Sequence, residues 1–349
     1  MRRRSWILLT ALLLLAVAIG DTLVWHFAVQ RMRAGLAGWV AATRAAGWSV
    51  SSAAPEAGGW PLAATLVLRD VALQGGAADI PDGLAWRAER VVLRVALRRP
   101  RVLRIDAEGA QHLRLSDAPD IRYTATRLQV LVPLQADPSA QALDLHGETL
   151  RASVPVAGAD DTLTLSRLDA DAVLDAAAPH GRAVVSISVK AGGIGLPSRL
   201  KWPLGPRIAS FAADAALNGP LPNASGLAAR AAAWRDDGGS VRLRRVAMQW
   251  GPLGLTATAT LTLDPALQPV GTGTAQVTGY AATLDALARN GLIRPSAAIA
   301  AKAVLSLLAT TPDGGGPSEV EVPLTLQHRT LSMRQAPLVR LPELDWPQP

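Results

Sequence analysis

The chain of 349 residues has no cysteine, two phenylalanines, two tyrosines and only three lysines, Lys190, Lys201 and Lys302, among its 35 basic residues. Without cysteine there is no disulfide framework, no thiolate metal site and no cysteine nucleophile, although a thiol-free chain is compatible with either redox compartment. Histidine is scarce too. His26, His112, His146, His180 and His328 have no second histidine or paired carboxylate at a ligand spacing, which argues against a zinc or iron centre. No Gly-x-Ser-x-Gly elbow occurs. Gly271-Thr272-Gly273 and Gly192-Gly193-Ile194-Gly195 lack the strand-to-helix setting of a nucleotide loop and read as strand bulges or turns. The acids Asp160, Asp161, Asp169, Asp171 and Asp175 are read as the wet face of a strand in preference to a loose calcium site. The expectation is a non-enzymatic protein without cofactor or metal.

The net charge of +7 raises the question of nucleic acid. The arginines, however, mostly stand singly between apolar residues, as in Val91-Val92-Leu93-Arg94-Val95-Ala96-Leu97-Arg98. That is how the solvent face of a strand reads, so no nucleic-acid partner is expected. A basic surface of this kind also suits anionic lipid headgroups.

Arg2-Arg3-Arg4 precedes an uncharged run from Ser5 to Gly20, and after Asp21 the apolar character resumes through Val29. Positive charge ahead of a hydrophobic segment holds the N-terminus in the cytoplasm and sends the rest across the membrane. Residues 1–29 are therefore expected to form a transmembrane signal-anchor carried by Trp6, Leu8, Leu12, Leu15, Ile19 and Trp25, with the C-terminal domain in the periplasm. Ala16-Val17-Ala18 also has the form of a signal-peptidase site, which leaves cleavage after Ala18 as the alternative. The uncleaved reading is preferred because Trp25, Val29, Met32, Leu36, Trp39, Val40 and Thr43 continue a helical stripe past that point. An amphipathic helix over 30–48, ending near Gly47-Trp48, is the expectation.

From Trp60 to Trp250 apolar and polar residues alternate in short segments, such as Thr65 to Leu73, Arg101 to Ala107 and Thr162 to Leu174, broken by turn signals at Asp137-Pro138, Gly192-Gly193 and Asp236-Asp237-Gly238-Gly239. This predicts a mainly β fold of long antiparallel curved sheets, as a sandwich, half-barrel or groove, over residues 49–349. Two halves, about 49–200 and 201–349, are suggested by the recurrence of Trp60-Pro61-Leu62, Trp202-Pro203-Leu204 and Trp250-Gly251-Pro252-Leu253, although an Ala/Leu/Thr-biased sequence produces such matches by coincidence. A late pair of helices, Ala281 to Asn290 and Pro295 to Thr310, is expected to pack on the sheet, the second buried beneath it because Lys302 is its only charge. Trp60, Trp86, Trp202, Trp250 and Trp346 either plug the sheet ends, the favoured reading, or line an apolar groove.

Several short motifs together resemble a known family. They are the N-terminal anchor, Gly58-Gly59-Trp60-Pro61, Trp86, Trp250-Gly251-Pro252-Leu253, Gly279, Leu284-Asp285-Ala286-Leu287, Gly291-Leu292-Ile293, Val322-Pro323-Leu324-Thr325-Leu326 and the stretch from Pro337 to Pro347. The chain is similar in these to the membrane-anchored bacterial family called domain of unknown function 2125, with Gly-Trp-Pro where the family pattern has Gly-Phe-Pro. The resemblance implies an envelope protein of unsettled function. In architecture alone, alternating strands behind one N-terminal helix also look like AsmA-like proteins, which implies lipid handling only by analogy. Two roles are carried forward: a lipid-binding or lipid-guiding groove in a curved sheet, and an adaptor that recruits another envelope protein.

Overall fold

The computed structural model describes residues 2–75, 83–115, 119–134, 140–156, 158–178, 182–220, 222, 226–311, 317–333 and 336–346, with side chains from Leu12 onward except at Val17 and Ala140. The side chains of Trp6 and Leu8, the Asp137-Pro138 turn and His180 lie outside the described residues.

One helix, α1 (Arg2–Ala45), opens the chain. Among the described residues seventeen strands follow, and almost all pair with their neighbours in sequence. They are β1 (Ser49–Ser51), β2 (Glu56–Gly58), β3 (Ala63–Gln74), β4 (Leu84–Ala96), β5 (Val102–Leu115), β6 (Ile121–Thr124), β7 (Arg127–Pro133), β8 (Ala140–Val156) and β9 (Ala159–Asp175). Then come β10 (Ala183–Gly195), β11 (Arg207–Asn218), helix α2 (Leu227–Asp236), β12 (Ser240–Trp250), β13 (Leu253–Leu263) and β14 (Pro269–Thr278). Helices α3 (Tyr280–Arg289) and α4 (Pro295–Leu308) precede β15 (Glu319–Gln327), β16 (Thr330–Met333) and β17 (Ala336–Arg340). The pairings are antiparallel throughout and belong to one sheet. β1 and β2 share the outer side of β3, and β6 and β7 together fill the position between β5 and β8. Residue 200 lies in the β10–β11 loop, and those two strands pair from Ala183–Asn218 to Gly195–Arg207.

The apolar residues do not keep one parity along each strand. In β8 they run Leu143, Leu145, Gly147 and then Leu150, Ala152, Val154; in β9, Leu163, Leu165 and then Leu168, Ala170, Ala172, Leu174. A strict two-residue period would turn the second set to the opposite face. The structure resolves this with a line of irregularities that crosses the sheet. Asp70, Gly109, Thr149 and Gly193 have φ of 50°, 79°, 49° and 62°. Asp70 and Glu89, Thr149 and Ser166, and Gly193 and Ala209 drop out of register opposite one another. Between β6 and β7 the chain breaks at the same level, since Thr124 pairs with Arg151 and Arg127 with Glu148. Such bulges bend the strand and raise its twist, and here they return the apolar set to the same face. Gly193 is thus a bulge inside β10, not a turn.

The C-terminal part of α1 packs across β3 and β4. Val29, 2% exposed, meets Ala64 and Leu66, flanked by Trp25, Ala28, Met32 and Leu36, and Leu36 also reaches the cluster of Leu68, Ala88 and Val91. Val40 and Thr43 are half-buried in continuation of the stripe. Trp39 departs from it: one position off the Leu36–Val40–Thr43 line, it faces solvent at 52% exposure.

A second correction concerns α4. It touches α3 and β15, and Lys302 pairs with Asp285 of α3 at 2.7 Å. Only Ala298 is buried, however, while Ile299, Val304, Leu307 and Leu308 are exposed. The helix leans on the end of the sheet and is not covered by it, so its outward apolar side finds no partner among the described residues.

Unusual backbone at Gly193 gives a direct test. A Cβ there would lie 2.4 Å from Ser166 Oγ, on top of the positive φ, whereas one at Gly192 meets nothing nearer than 4.0 Å. Gly193→Ala is expected to destabilise by about 1–3 kcal/mol, and Gly192→Ala to leave stability within about 0.5 kcal/mol, both read by denaturant unfolding in detergent.

Candidate functional site: an uncovered apolar face

Because the register is known strand by strand, the residues sharing a face can be followed across the sheet. Leu66 opposes Leu93, and the row continues through Ile105, Val130, Leu145, Ala170, Val189, Ala213, Val246, Ala257, Ala275 and Val322. Every position from β3 to β15 is apolar. A neighbouring row repeats the pattern over Leu128, Gly147, Leu168, Ala191, Phe211, Met248, Leu255, Val277 and Val320. The opposite face is polar, as in Asp144, Asp171, Ser188, Asp214 and Arg245. An open depression of about 420 Å³ on that side is lined by Asp171, Ser188, Asp214 and Arg245 together with Val173 and Ile187.

A two-faced sheet normally buries its apolar side under a second layer. Here the helices pack chiefly on β1, β3, β13 and β15. Between them Leu145, Leu168, Ala170, Ala172, Val189 and Ala213 are only half-buried, and Ile187 is 46% exposed. The total surface makes the same point. The chain exposes 21915 Å², against roughly 13,500 Å² for a compact monomer of its mass. The projecting part of α1 accounts for some of the excess, and the two faces of an unlayered sheet account for much of the rest.

The tryptophans divide between the two ends of the strands. Trp202 and Trp250 meet edge to face, with centroids 6.1 Å apart, and their indole N–H groups donate to Pro197 O and Gly205 O, each at 2.8 Å. Trp346, at the other end, donates to Leu267 O at 2.9 Å across the β13–β14 turn. Trp60 is in the β2–β3 turn, 54% exposed. Trp86 lies on the apolar face and donates to Tyr123 Oη at 2.8 Å. Five residues grouped by sequence thus form one ring pair and three separate positions. Two further indoles lie outside that group of five: Trp234, 8% exposed, donates to Asn218 O at 3.0 Å, and Trp48 stacks over Gly75.

One polar side chain is out of place. Gln111 on β5 opposes Ala88 and Tyr123, is 0% exposed, and neither of its amide atoms has a partner among the described residues. Beside it, burial pushes the Tyr123 hydroxyl above its ordinary value, opposed in part by the Trp86 hydrogen bond.

Two of the strand acids, Asp161 and Asp169, have structural partners in neighbouring elements. Asp169 accepts hydrogen bonds from Arg167 at 2.6 Å and pairs with His146 at 2.9 Å, which hold its carboxyl below the usual range in that order of importance. Asp161 is lowered first by the backbone N–H of Arg199, 2.7 Å away, and ties β9 to the β10–β11 loop.

In α1, Leu12, Leu15 and Ile19 are 67%, 58% and 53% exposed. This helix is long and apolar enough to cross a membrane. Trp25 turns inward and donates to Gly58 O at 3.1 Å, which fastens the base of the helix to the β2–β3 turn.

An anchor-type helix fastened to the edge of one wide, two-faced antiparallel sheet defines the class of protein. Within that class, the chain belongs to the bacterial family described as "uncharacterized protein conserved in bacteria" (DUF2125), whose model matches residues 25–342. No curated protein and no solved structure shows significant similarity to it.

Two substitutions probe this region. Gln111→Leu removes an unpaired buried amide while keeping its bulk, and is expected to be neutral or to stabilise by up to about 2 kcal/mol in chemical unfolding; a clear loss would reveal a partner for the amide. For Asp169, a carboxyl lowered in the folded state contributes stability above its unfolded pKa, and that contribution is lost as pH falls through the folded value. Arg167→Ala is expected to move the Asp169 titration upward in a carboxyl-resolved NMR experiment and to flatten the acid limb of the stability–pH curve.

Proposed function

We propose that this is a non-enzymatic envelope protein, held in the inner membrane by α1 with its sheet in the periplasm, whose uncovered apolar face binds or guides lipid acyl chains. The observation that carries the reading is the apolar row from Leu66 to Val322, crossed by no polar side chain and, among the described residues, left without a second layer over its middle. Acyl chains are matched to such a surface because they need only continuous apolar contact, at roughly 25 cal/mol per Å² removed from water. The small side chains in the middle of the row, Ala170 and Ala213, leave room for a chain to lie across the strands. Arginines ahead of the span support export of the body.

A second reading, an adaptor that recruits an envelope protein, is favoured by one observation. The outward side of α4, with Leu307 86% exposed, offers an apolar patch of the kind that protein partners cover.

Mass spectrometry of the full chain purified in mild detergent separates the two. The lipid reading expects acyl-chain lipid in stoichiometric amount, and Val189→Asp, a charge set in the middle of the row, is expected to reduce it at least about tenfold with the β circular-dichroism signal retained. A lipid-free protein, or equal lipid in parent and variant, removes the groove from consideration; loss of a co-purifying protein on Leu307→Asp supports the adaptor.

A further inference from the structure

The turns at the base of α1 form a surface distinct from the apolar face. If the hydrocarbon span begins at Ser5, the 20 residues to Val24 cover about 30 Å at 1.5 Å per residue, the thickness of a bilayer core. The next residue is Trp25, whose indole is bonded to Gly58 O at the start of the β2–β3 turn. On that placement the helix leaves the hydrocarbon at the level where it is fastened to the sheet.

Trp60 and Leu62, in that turn, are 54% and 71% exposed, a strong exposure for two large apolar side chains in a soluble setting. The β4–β5 turn lies beside it, linked by the Leu97 N–H donating to Leu62 O at 3.2 Å, and carries Arg98, Arg99 and Arg101. All three arginines are exposed, and none pairs with a carboxylate among the described residues. An indole and a leucine beside three free guanidinium groups, level with the exit of a membrane helix, match the layering of a bilayer surface. The ring and the leucine suit the acyl boundary, and the guanidinium groups suit the phosphates above it.

We infer that the β2–β3 and β4–β5 turns dock on an anionic bilayer surface, with Trp60 and Leu62 inserted and Arg98, Arg99 and Arg101 on lipid phosphates. The docking holds that end of the strands against the membrane and fixes the tilt of the sheet relative to it. It is independent of whether the apolar face carries lipid.

The absence of cysteine makes the test simple, since each single-cysteine variant of the full chain takes one fluorophore. Leu62→Cys, labelled with an environment-sensitive dye, is compared with Leu200→Cys, 44% exposed in the β10–β11 loop at the opposite end of the strands. Both are reconstituted in phosphatidylcholine vesicles with and without phosphatidylglycerol, using brominated acyl chains as quencher. Docking predicts blue-shifted emission and several-fold stronger quenching at Leu62 than at Leu200 when phosphatidylglycerol is present. It also predicts loss of that difference when Arg98, Arg99 and Arg101 are all changed to Glu, with the circular-dichroism spectrum retained. Equal quenching at the two positions overturns the proposal. Quenching at Leu62 that is unchanged by removing either phosphatidylglycerol or the arginines overturns the assignment to anionic headgroups.

Discussion

The structure depends on one constraint: nearly every strand bonds to the strands beside it in sequence, so the sheet grows sideways and, among the described residues, forms no second layer of its own. Hydrogen bonding is satisfied along such a meander, but burial is not. In a sandwich, a second sheet would cover the apolar side chains and the two polar faces would point outward. Here the polar face is outward in the usual way, while the apolar face is covered by α1 at β3 and β4 and by short helices near β13 and β15. The fully buried residues gather where those helices rest, including Ala64, Leu66 and Val91 at one side and Ala275, Ala298 and Val320 at the other.

The line of bulges through Asp70, Gly109, Thr149 and Gly193 follows from the same constraint. Strands as long as the 17 residues of β8 and β9 accumulate twist, and a sheet this wide cannot stay flat. A bulge in each of many adjacent strands absorbs the bend at one level. Thr149 and Asp70 hold positive φ without being glycine, which is a cost that the surrounding register maintains. Where the bend requires close approach, glycine is present, as at Gly109 against Glu89, whose carboxylate accepts the Ala110 N–H at 2.8 Å.

The two ends of the strands are built differently. At one end α1 is fastened beside exposed Trp60 and Leu62 and the arginine turn. At the other, Trp202 and Trp250 pack together and α3 is held by the Asn290 side chain on Pro203 O at 3.3 Å, with α4 alongside. This polarity gives the apolar face a direction, from the end where α1 is fastened to the end that carries Trp202 and Trp250.

Much of this was legible in the sequence. The apolar run behind three arginines marks a helix long and apolar enough to cross a membrane, because about 20 apolar residues in a helix satisfy their own backbone in lipid. The alternation from Thr65 to Leu73 and from Thr162 to Leu174 dictates antiparallel strands with unlike faces, because side chains alternate by covalent geometry. Even the bulges leave a trace, in the three-residue step from Leu165 to Leu168 that breaks the alternation. Local pattern does not reach further than that. Whether the apolar face is covered, whether α4 lies under the sheet or beside it, why Gln111 is enclosed and which carbonyl each indole meets are all decided by chain segments far apart in sequence. Those outcomes belong to the tertiary structure because burial depends on what else arrives at a surface, and periodicity records only which way a side chain points.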